Sequence, residues 1–286
     1  MRNLNYQLKQ LCRRNRDGSR STQVGRERIL TLVANDLHQL GFRGLQAKSL
    51  KPKHVEALTK HWLTSSVSAG TIKNRMSAVR WWAEKIDKRN VVARENVYYG
   101  IPERKTGRRS PVPKLDDSAL RRIPNPMVRM SLRLQAAFGL RREEAIKIRP
   151  AMADRGDCLW LKSTWTKGGR SRTVPIVSPD QRVVLDEAKS MAGLGSLIPS
   201  DGNYVRQLRR YEHQTAQSGF SKLHGLRHAY AHVRYRELTG WLCPAAGGCR
   251  SAELSPSKKS RDQAARLIIS QELGHSRIAV TRIYLD

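Results

Sequence analysis

The sequence predicts a mainly α-helical protein with one small β-hairpin, divided into two domains. Three observations carry that prediction. Apolar residues recur at helical spacing over much of the first hundred positions and again from residue 127 onward; one pair of strand-like runs flanks a glycine turn; and an aperiodic stretch rich in Pro, Gly and basic residues separates the two halves. At 286 residues the chain is long enough for two separate cores. The predicted division is a helical domain over 1–100, a basic linker over 101–117 and a second domain over 118–286.

The first ~25 residues, with Arg13, Arg14, Arg16, Arg20 and Arg26 among Asn, Ser and Gly, read as a flexible or weakly helical basic arm. From Arg28 to Gly41, Ile29, Leu30, Val33, Leu37 and Leu40 mark one face of a helix that Gly41 ends. Further helices are predicted over Pro52–Leu63 and Thr71–Ile86, the latter with Ile72, Met76, Val79, Trp82 and Ile86 on its stripe. Lys73, Arg75, Arg80 and Lys85 fall off that stripe and are expected to contact DNA. In the linker, Arg104, Lys105, Arg108 and Arg109, with Lys114, can track a phosphate backbone between the two domains.

The second domain opens with a helix near Met127–Phe138, a break at Gly139 and a short helix around Glu143–Ile148. Cys158–Trp165 and Arg172–Val177 then form a hairpin around Lys167-Gly168-Gly169-Arg170. Helices follow near Asp180–Met191, Asn203–Gln217, Gly225–Leu238, Ala264–Glu272 and Ile278–Tyr284. The segment 240–262, with its Pro, Gly, Ser and Lys content, reads as a surface loop.

Charge narrows the function classes. The net charge of +30 and isoelectric point near 10.9 exceed what solubility needs and point to a polyanion, with double-stranded DNA foremost. The basic excess is spread along the chain, so both domains are expected to face the same backbone. No apolar run approaches the ~18 residues of a membrane span, and no membrane partner is expected. Cys12, Cys158, Cys243 and Cys249 contain no Cys-x-x-Cys pair, and no signal peptide is evident, which suits a reducing cytoplasm. Cys243 and Cys249 lack two further ligands nearby, so no metal site is expected. Neither a P-loop pattern nor an acidic cluster suited to magnesium is present, and no cofactor is expected.

Five residues stand out as chemistry. Gly139-Leu140-Arg141, then His224-Gly225-Leu226-Arg227-His228, then Leu273-Gly274-His275 and Tyr284 supply, in Arg141, Arg227, His224, His275 and Tyr284, two arginines, two histidines and a tyrosine: a phosphate clamp beside a nucleophile. Arginine suits the clamp because its planar fork makes two parallel bonds to phosphate and stays charged. His224 and Arg227, three apart, share a helix face.

In this order the set resembles the tyrosine recombinase family, the phage integrases. The resemblance covers about Arg122 to Tyr284 through these motifs, and the first domain only through its basic, helical character; the fold it implies is a helical core-binding domain followed by a catalytic domain. It implies that Tyr284 attacks the scissile phosphorus to give a 3′-phosphotyrosyl enzyme and a free 5′-hydroxyl. Arg141, directly after Gly-Leu, and Arg227 clamp the phosphate, Arg142 being the confounding neighbour. Lys167, on the hairpin turn, matches the lysine that protonates the leaving oxygen, with Lys162 and Arg170 as alternatives. His224 accepts the tyrosine proton or orients it, and His275 bonds a non-bridging oxygen. Tyr230 and Tyr235 read as packing or DNA-surface residues.

The same resemblance implies a site-specific recombinase or integrase of a mobile element, with a homotetramer on recombining sites, accessory DNA-bending proteins and a cytoplasmic, nucleoid-bound location in a bacterium. Two departures matter. The 240–262 segment lengthens the path from Arg227 to His275, and two residues follow Tyr284 where many relatives continue into a helix docked on a neighbour, so either assembly uses other contacts or the sequence is cut short there. Two other readings keep the charge: a non-catalytic DNA-binding accessory protein of the same fold, and a type IB topoisomerase-like enzyme.

Overall fold

The structure is a computed structural model and describes residues 3–103, 115–275 and 277–286. The chain separates into two compact units, Met1–Gly107 and Arg108–Asp286. Among the described residues no helix is long and apolar enough to cross a membrane.

Among the described residues the first unit is a bundle of four α-helices: α1 (Asn3–Arg14), α2 (Arg20–Gln39), α3 (Pro52–Thr64) and α4 (Ala69–Lys85). The expected basic arm is instead α1, because Leu4, Leu8 and Cys12 recur every fourth residue among polar neighbours and bury against the bundle. Ser19 caps α2 by accepting from the Thr22 amide, so that helix starts eight residues earlier than its apolar stripe suggests. Ser68 caps α4 in the same way. The bundle closes on Trp62 and Trp82, both fully buried. Their indole donors are satisfied, Trp62 to Asp36 Oδ2 at 2.7 Å and Trp82 to the Ala47 carbonyl at 3.0 Å.

The second unit begins with α5 (Asp117–Arg121), α6 (Pro126–Phe138), α7 (Arg142–Lys147) and α8 (Pro150–Ala153). Strands β1 (Cys158–Leu161) and β2 (Arg172–Pro175) pair antiparallel, Cys158 opposite Pro175 and Leu161 opposite Arg172. The strands are shorter than their β-rich runs. Ser163–Trp165 forms a 3-10 turn that tucks Trp165 into the core, and Thr166 Oγ1 braces the wide turn by donating to the Arg170 carbonyl at 2.7 Å.

Helices α9 (Pro179–Ala192), α10 (Tyr204–Gln217), α11 (Gly225–Thr239), α12 (Pro256–Glu272) and α13 (Arg282–Leu285) complete the unit. Two expectations are corrected here. The 240–262 segment is not only a surface loop: Cys243 is fully buried, and Pro256–Asp262 is the first part of α12. Buried Asp262 anchors it by accepting from Tyr235 Oη (2.6 Å), Ser251 Oγ (2.9 Å) and Arg266 Nε (2.8 Å). The stretch Ile278–Tyr284 is not one helix but a 3-10 turn at Ile278–Val280 followed by α13. Tyr230 and Tyr235 are both buried, which settles them as packing residues. The core joins α6, β1, β2, α9, α11 and α12, and the α6–α7 junction, α11 and the α12–α13 junction meet at one end of it.

Candidate active site

Where α6 stops, Gly139 takes a left-handed conformation (φ 60°) that glycine alone adopts without strain. A Cβ there would lie 2.6 Å from the Tyr230 ring. Leu140 plugs the core, and Arg141 becomes the N-cap of α7. Its amide donates to Glu144 Oε2 (2.7 Å), and its guanidinium Nη1 to Glu144 Oε1 (2.8 Å).

Glu144 is fully buried and holds a second arginine. Arg172, from β2, donates Nη1 to Oε1 (3.0 Å) and Nη2 to Oε2 (2.7 Å), while its Nε donates to the Glu272 carbonyl at the end of α12 (2.8 Å). Burial alone would raise the Glu144 carboxyl, yet the bonds and charge of Arg172, with Arg141, hold it down at about 2. The carboxylate thus ties α7 to the hairpin, and Arg172 extends the tie to α12. Arg142 points elsewhere: it pairs with Glu212 on α10 at 2.8 Å, largely exposed.

Arg227, on α11, is 1 % exposed. Its two Nη groups donate to the carbonyls of Gly139 and Leu273, and Nη2 lies 3.5 Å from His275 Nε2. Its Nε is buried without a partner among the described residues. Burial, reinforced by Arg141, lowers this guanidinium to about 10. His275 Nδ1 shares a hydrogen bond with Thr281 Oγ1 at 3.1 Å. Burial and the charges of Arg227, Arg141 and Arg172 push its imidazole down to about 3, so it is neutral at physiological pH.

Tyr284 is carried on α13 into this group and is 7 % exposed. Its hydroxyl shares a hydrogen bond with His224 Nε2 at 3.0 Å. The Arg227 guanidinium carbon lies 5.8 Å from the centre of its ring, and the His275 ring 5.0 Å. His224 is lowered by loss of water around the ring, then by Arg227 and Arg141, and so is the more ready to be found without its proton.

Arg141, His224, Arg227, His275 and Tyr284, spread over 144 positions of sequence, therefore lie side by side. Lys167 does not join them. It stands exposed on the hairpin turn with no hydrogen bond or ion pair among the described residues. In the first unit, Arg75 lies 3.8 Å from Asp36 and over the Trp62 ring. Arg80 donates to the Ala93 carbonyl and Asn96 Oδ1, and Lys85 pairs with Asp17 at 3.0 Å. These three are engaged within their own unit, whereas Lys73 is half-buried without such a partner among the described residues. Arg104, Lys105, Arg108, Arg109 and Lys114 lie outside the described residues.

Sequence reasoning missed Glu144, Arg172, His228 and His232. The first had a signal, three residues after Arg141 at a helix start, where a glutamate closes a capping box. The histidines follow His224 at steps of four. Arg172 had none, because its carboxylate partner is remote in sequence. No group of three or more His, Cys, Asp or Glu among the described residues is arranged to hold a metal ion.

Comparison with known proteins gives a consistent result. Residues 1–91 match the family model for the phage integrase N-terminal domain, and residues 117–233 match the integrase family model. Among solved structures, a lambda integrase dimer bound to a COC′ core site matches at TM-score 0.63 and 14 % identity, covering 99 % of this chain and 77 % of that one. The Tn1549 transposon integrase with circular intermediate DNA matches at 0.56 and 14 %, covering 100 % and 96 %. The XerH site-specific recombinase bound to difH in a pre-cleavage complex matches at 0.57 and 15 %, covering 99 % and 81 %. At such identities these structures speak for the fold. No curated protein sequence matches the chain.

Proposed function

We infer the chemistry of this site from one premise: the chain belongs to the tyrosine recombinase (phage integrase) family, whose two domain models together take in well over half of it. It is a site-specific recombinase, an enzyme that breaks and rejoins DNA. Its partner, on this reading, is double-stranded DNA, as the charge of +30 and the DNA-bound structures it resembles suggest. By analogy with the lambda integrase tetramer bound to a Holliday junction, it acts as a homotetramer on paired sites. Accessory DNA-bending proteins are further partners that the family resemblance implies. It integrates or excises a mobile element from the cytoplasm of a bacterium.

The observation that carries the residue assignments is the Tyr284 hydroxyl on His224 Nε2 beside a buried arginine with an unused donor. Tyr284 Oη attacks the scissile phosphorus, its proton passes to His224 Nε2, and the bond from phosphorus to the 5′ oxygen breaks. Arg141 and Arg227 neutralise the non-bridging oxygens as charge accumulates there, and His275 donates to one of them. Lys167, brought in by the hairpin when DNA docks, protonates the departing 5′ oxygen. A 5′-hydroxyl from another strand then attacks the phosphotyrosyl ester, and the tyrosine takes back its proton. Bond energy is retained in the ester throughout. Among the described residues, Lys73 is the α4 cation left free for a phosphate; the linker cations would add to it.

The test is covalent capture. Incubation with a pool of randomised suicide duplexes should yield detergent-resistant protein–DNA adducts linked through Tyr284, and Tyr284→Phe should abolish them while leaving DNA affinity nearly intact. An adduct that survives in that variant, or that maps to another tyrosine, would overturn the assignment. Adducts without recombinant junctions would favour a topoisomerase.

A further inference from the structure

Helix α11 carries His224, His228 and His232 at steps of four residues. Four residues overshoot one helical turn by ~40°, so such side chains form a slowly winding row along one face. Tyr284 lies against that row and is met at three different points. His224 shares a hydrogen bond with its hydroxyl at 3.0 Å. The His228 ring stacks on its ring, centroids 4.4 Å apart and planes 30° from parallel. His232 Nε2 bonds its backbone carbonyl at 2.8 Å.

Helix α13, at four residues, is too short to hold its own place, and its last carbonyls have no helical partner. His232 supplies one. A carbonyl only accepts, so Nε2 of His232 carries the proton. His228 is 7 % exposed, and burial with the neighbouring imidazoles pushes it down to about 4; it therefore stacks as a neutral ring. The hydroxyl contact belongs to the chemistry, but the ring and main-chain contacts decide where that hydroxyl sits.

We propose that His228 and His232 are positioning residues for the nucleophile, seating Tyr284 by its ring face and main chain so that its hydroxyl meets His224 before DNA arrives. This rests on the reading of Tyr284 as the attacking residue. Misplacing a reacting atom by ~1 Å can cost on the order of a hundredfold in rate. Loss of either contact should therefore act on the chemical step rather than on DNA binding.

The test uses the intact protein and two readouts. The first is the single-turnover rate of adduct formation on a duplex recovered from the randomised pool, alongside the same duplex with a 5′-bridging sulfur. The second needs no DNA: the rate at which tetranitromethane nitrates Tyr284, read by peptide mass spectrometry. His228→Ala and His232→Leu should each slow adduct formation roughly tenfold to a hundredfold with little change in DNA affinity, and should raise Tyr284 nitration. A thiolate leaves without a proton donor, so the sulfur substrate should restore Lys167→Ala but neither histidine variant. His228→Phe keeps a flat ring and His232→Gln keeps an N–H of similar reach; both should recover most of the rate. Wild-type rates and nitration in the truncations would overturn the proposal, as would failure of the conservative variants to recover activity, or rescue by sulfur. If the wild-type protein formed no adduct, the nucleophile assignment would fall instead, while the nitration pattern would still decide whether α11 seats this side chain.

Discussion

Three arginines converge near Glu144, and that one buried carboxylate offsets their mutual repulsion. Two of them, Arg141 and Arg172, lean on it directly, so its charge matters more than its shape. Glu144→Gln should cost about 3–5 kcal/mol of stability, because it leaves a buried guanidinium without its counter-charge. It should also slow adduct formation by roughly tenfold or more, since the carboxamide offers one acceptor oxygen where two now aim the amide and guanidinium of Arg141. A thermal melt and a single-turnover assay check the two effects separately. The neighbouring arginines make a sharper contrast. Arg141→Ala should lower the cleavage rate about a hundredfold or more, whereas Arg142→Ala should stay close to wild type, because Arg142 sits in an exposed pair with Glu212. The reverse result would show that the wrong member of the pair was assigned to the phosphate.

Elements place these side chains, and the α6–α7 junction is the least tolerant of change. Gly139→Ala would put a side chain into both a left-handed backbone and the Tyr230 ring, while the Gly139 carbonyl is an acceptor for Arg227. The variant should lose about 1–3 kcal/mol of stability and most of its cleavage activity, measurable by melting and by adduct yield. Helix α11 carries a pH dependence of its own. An unfolded chain protonates His228 near the ordinary histidine value of 6.5, whereas the folded site holds it near about 4. Between those values the unfolded state binds the extra proton, so stability is complete above about 6.5 and falls as pH drops toward about 4, by about 3 kcal/mol in all. His275, held near about 3, acts in the same direction. Glu144 has the opposite ordering of charge states but the same slope: its contribution is intact above about 4.5 and is lost only as pH falls through about 2. Hydrogen exchange of α11 followed from pH 7 to pH 4 should show the loss, and His228→Phe should make it shallower, leaving the part due to His275.

At the scale of the whole molecule, charge governs the encounter with DNA. A net +30 spread over both units predicts binding that weakens steeply with salt, with a log–log slope of about five or more, because each neutralised phosphate releases ~0.9 of a counterion. Neutralising Arg104, Lys105, Arg108 and Arg109 together should reduce that slope. A titration of affinity against salt that gave a slope well below five, unchanged in the fourfold variant, would remove the linker from the interface. Within the first unit, Arg75, Arg80 and Lys85 should contribute less to the slope than Lys73, because each is already engaged by its own unit.

Much of this was legible along the chain. Most helices followed from apolar spacing, the hairpin from its glycine turn, and the five side chains now found side by side from an ordered set of motifs. Local signals failed where the deciding partner was remote. Helix α1 was hidden by its basic residues until Leu4, Leu8 and Cys12 met the bundle. The 240–262 segment looked like a loop because nothing nearby announces that Asp262 is the acceptor for Tyr235 and Arg266. Arg75, Arg80 and Lys85 looked free because charge on a helix face says nothing of the acceptors that neighbouring helices and loops present. Residue types and their spacing thus determined the element pattern and the chemistry that the chain can attempt. Tertiary structure alone decided which carboxylate holds Arg172 and which histidines hold Tyr284, because those contacts join residues from 28 to 60 positions apart whose distances exist only once the core has closed.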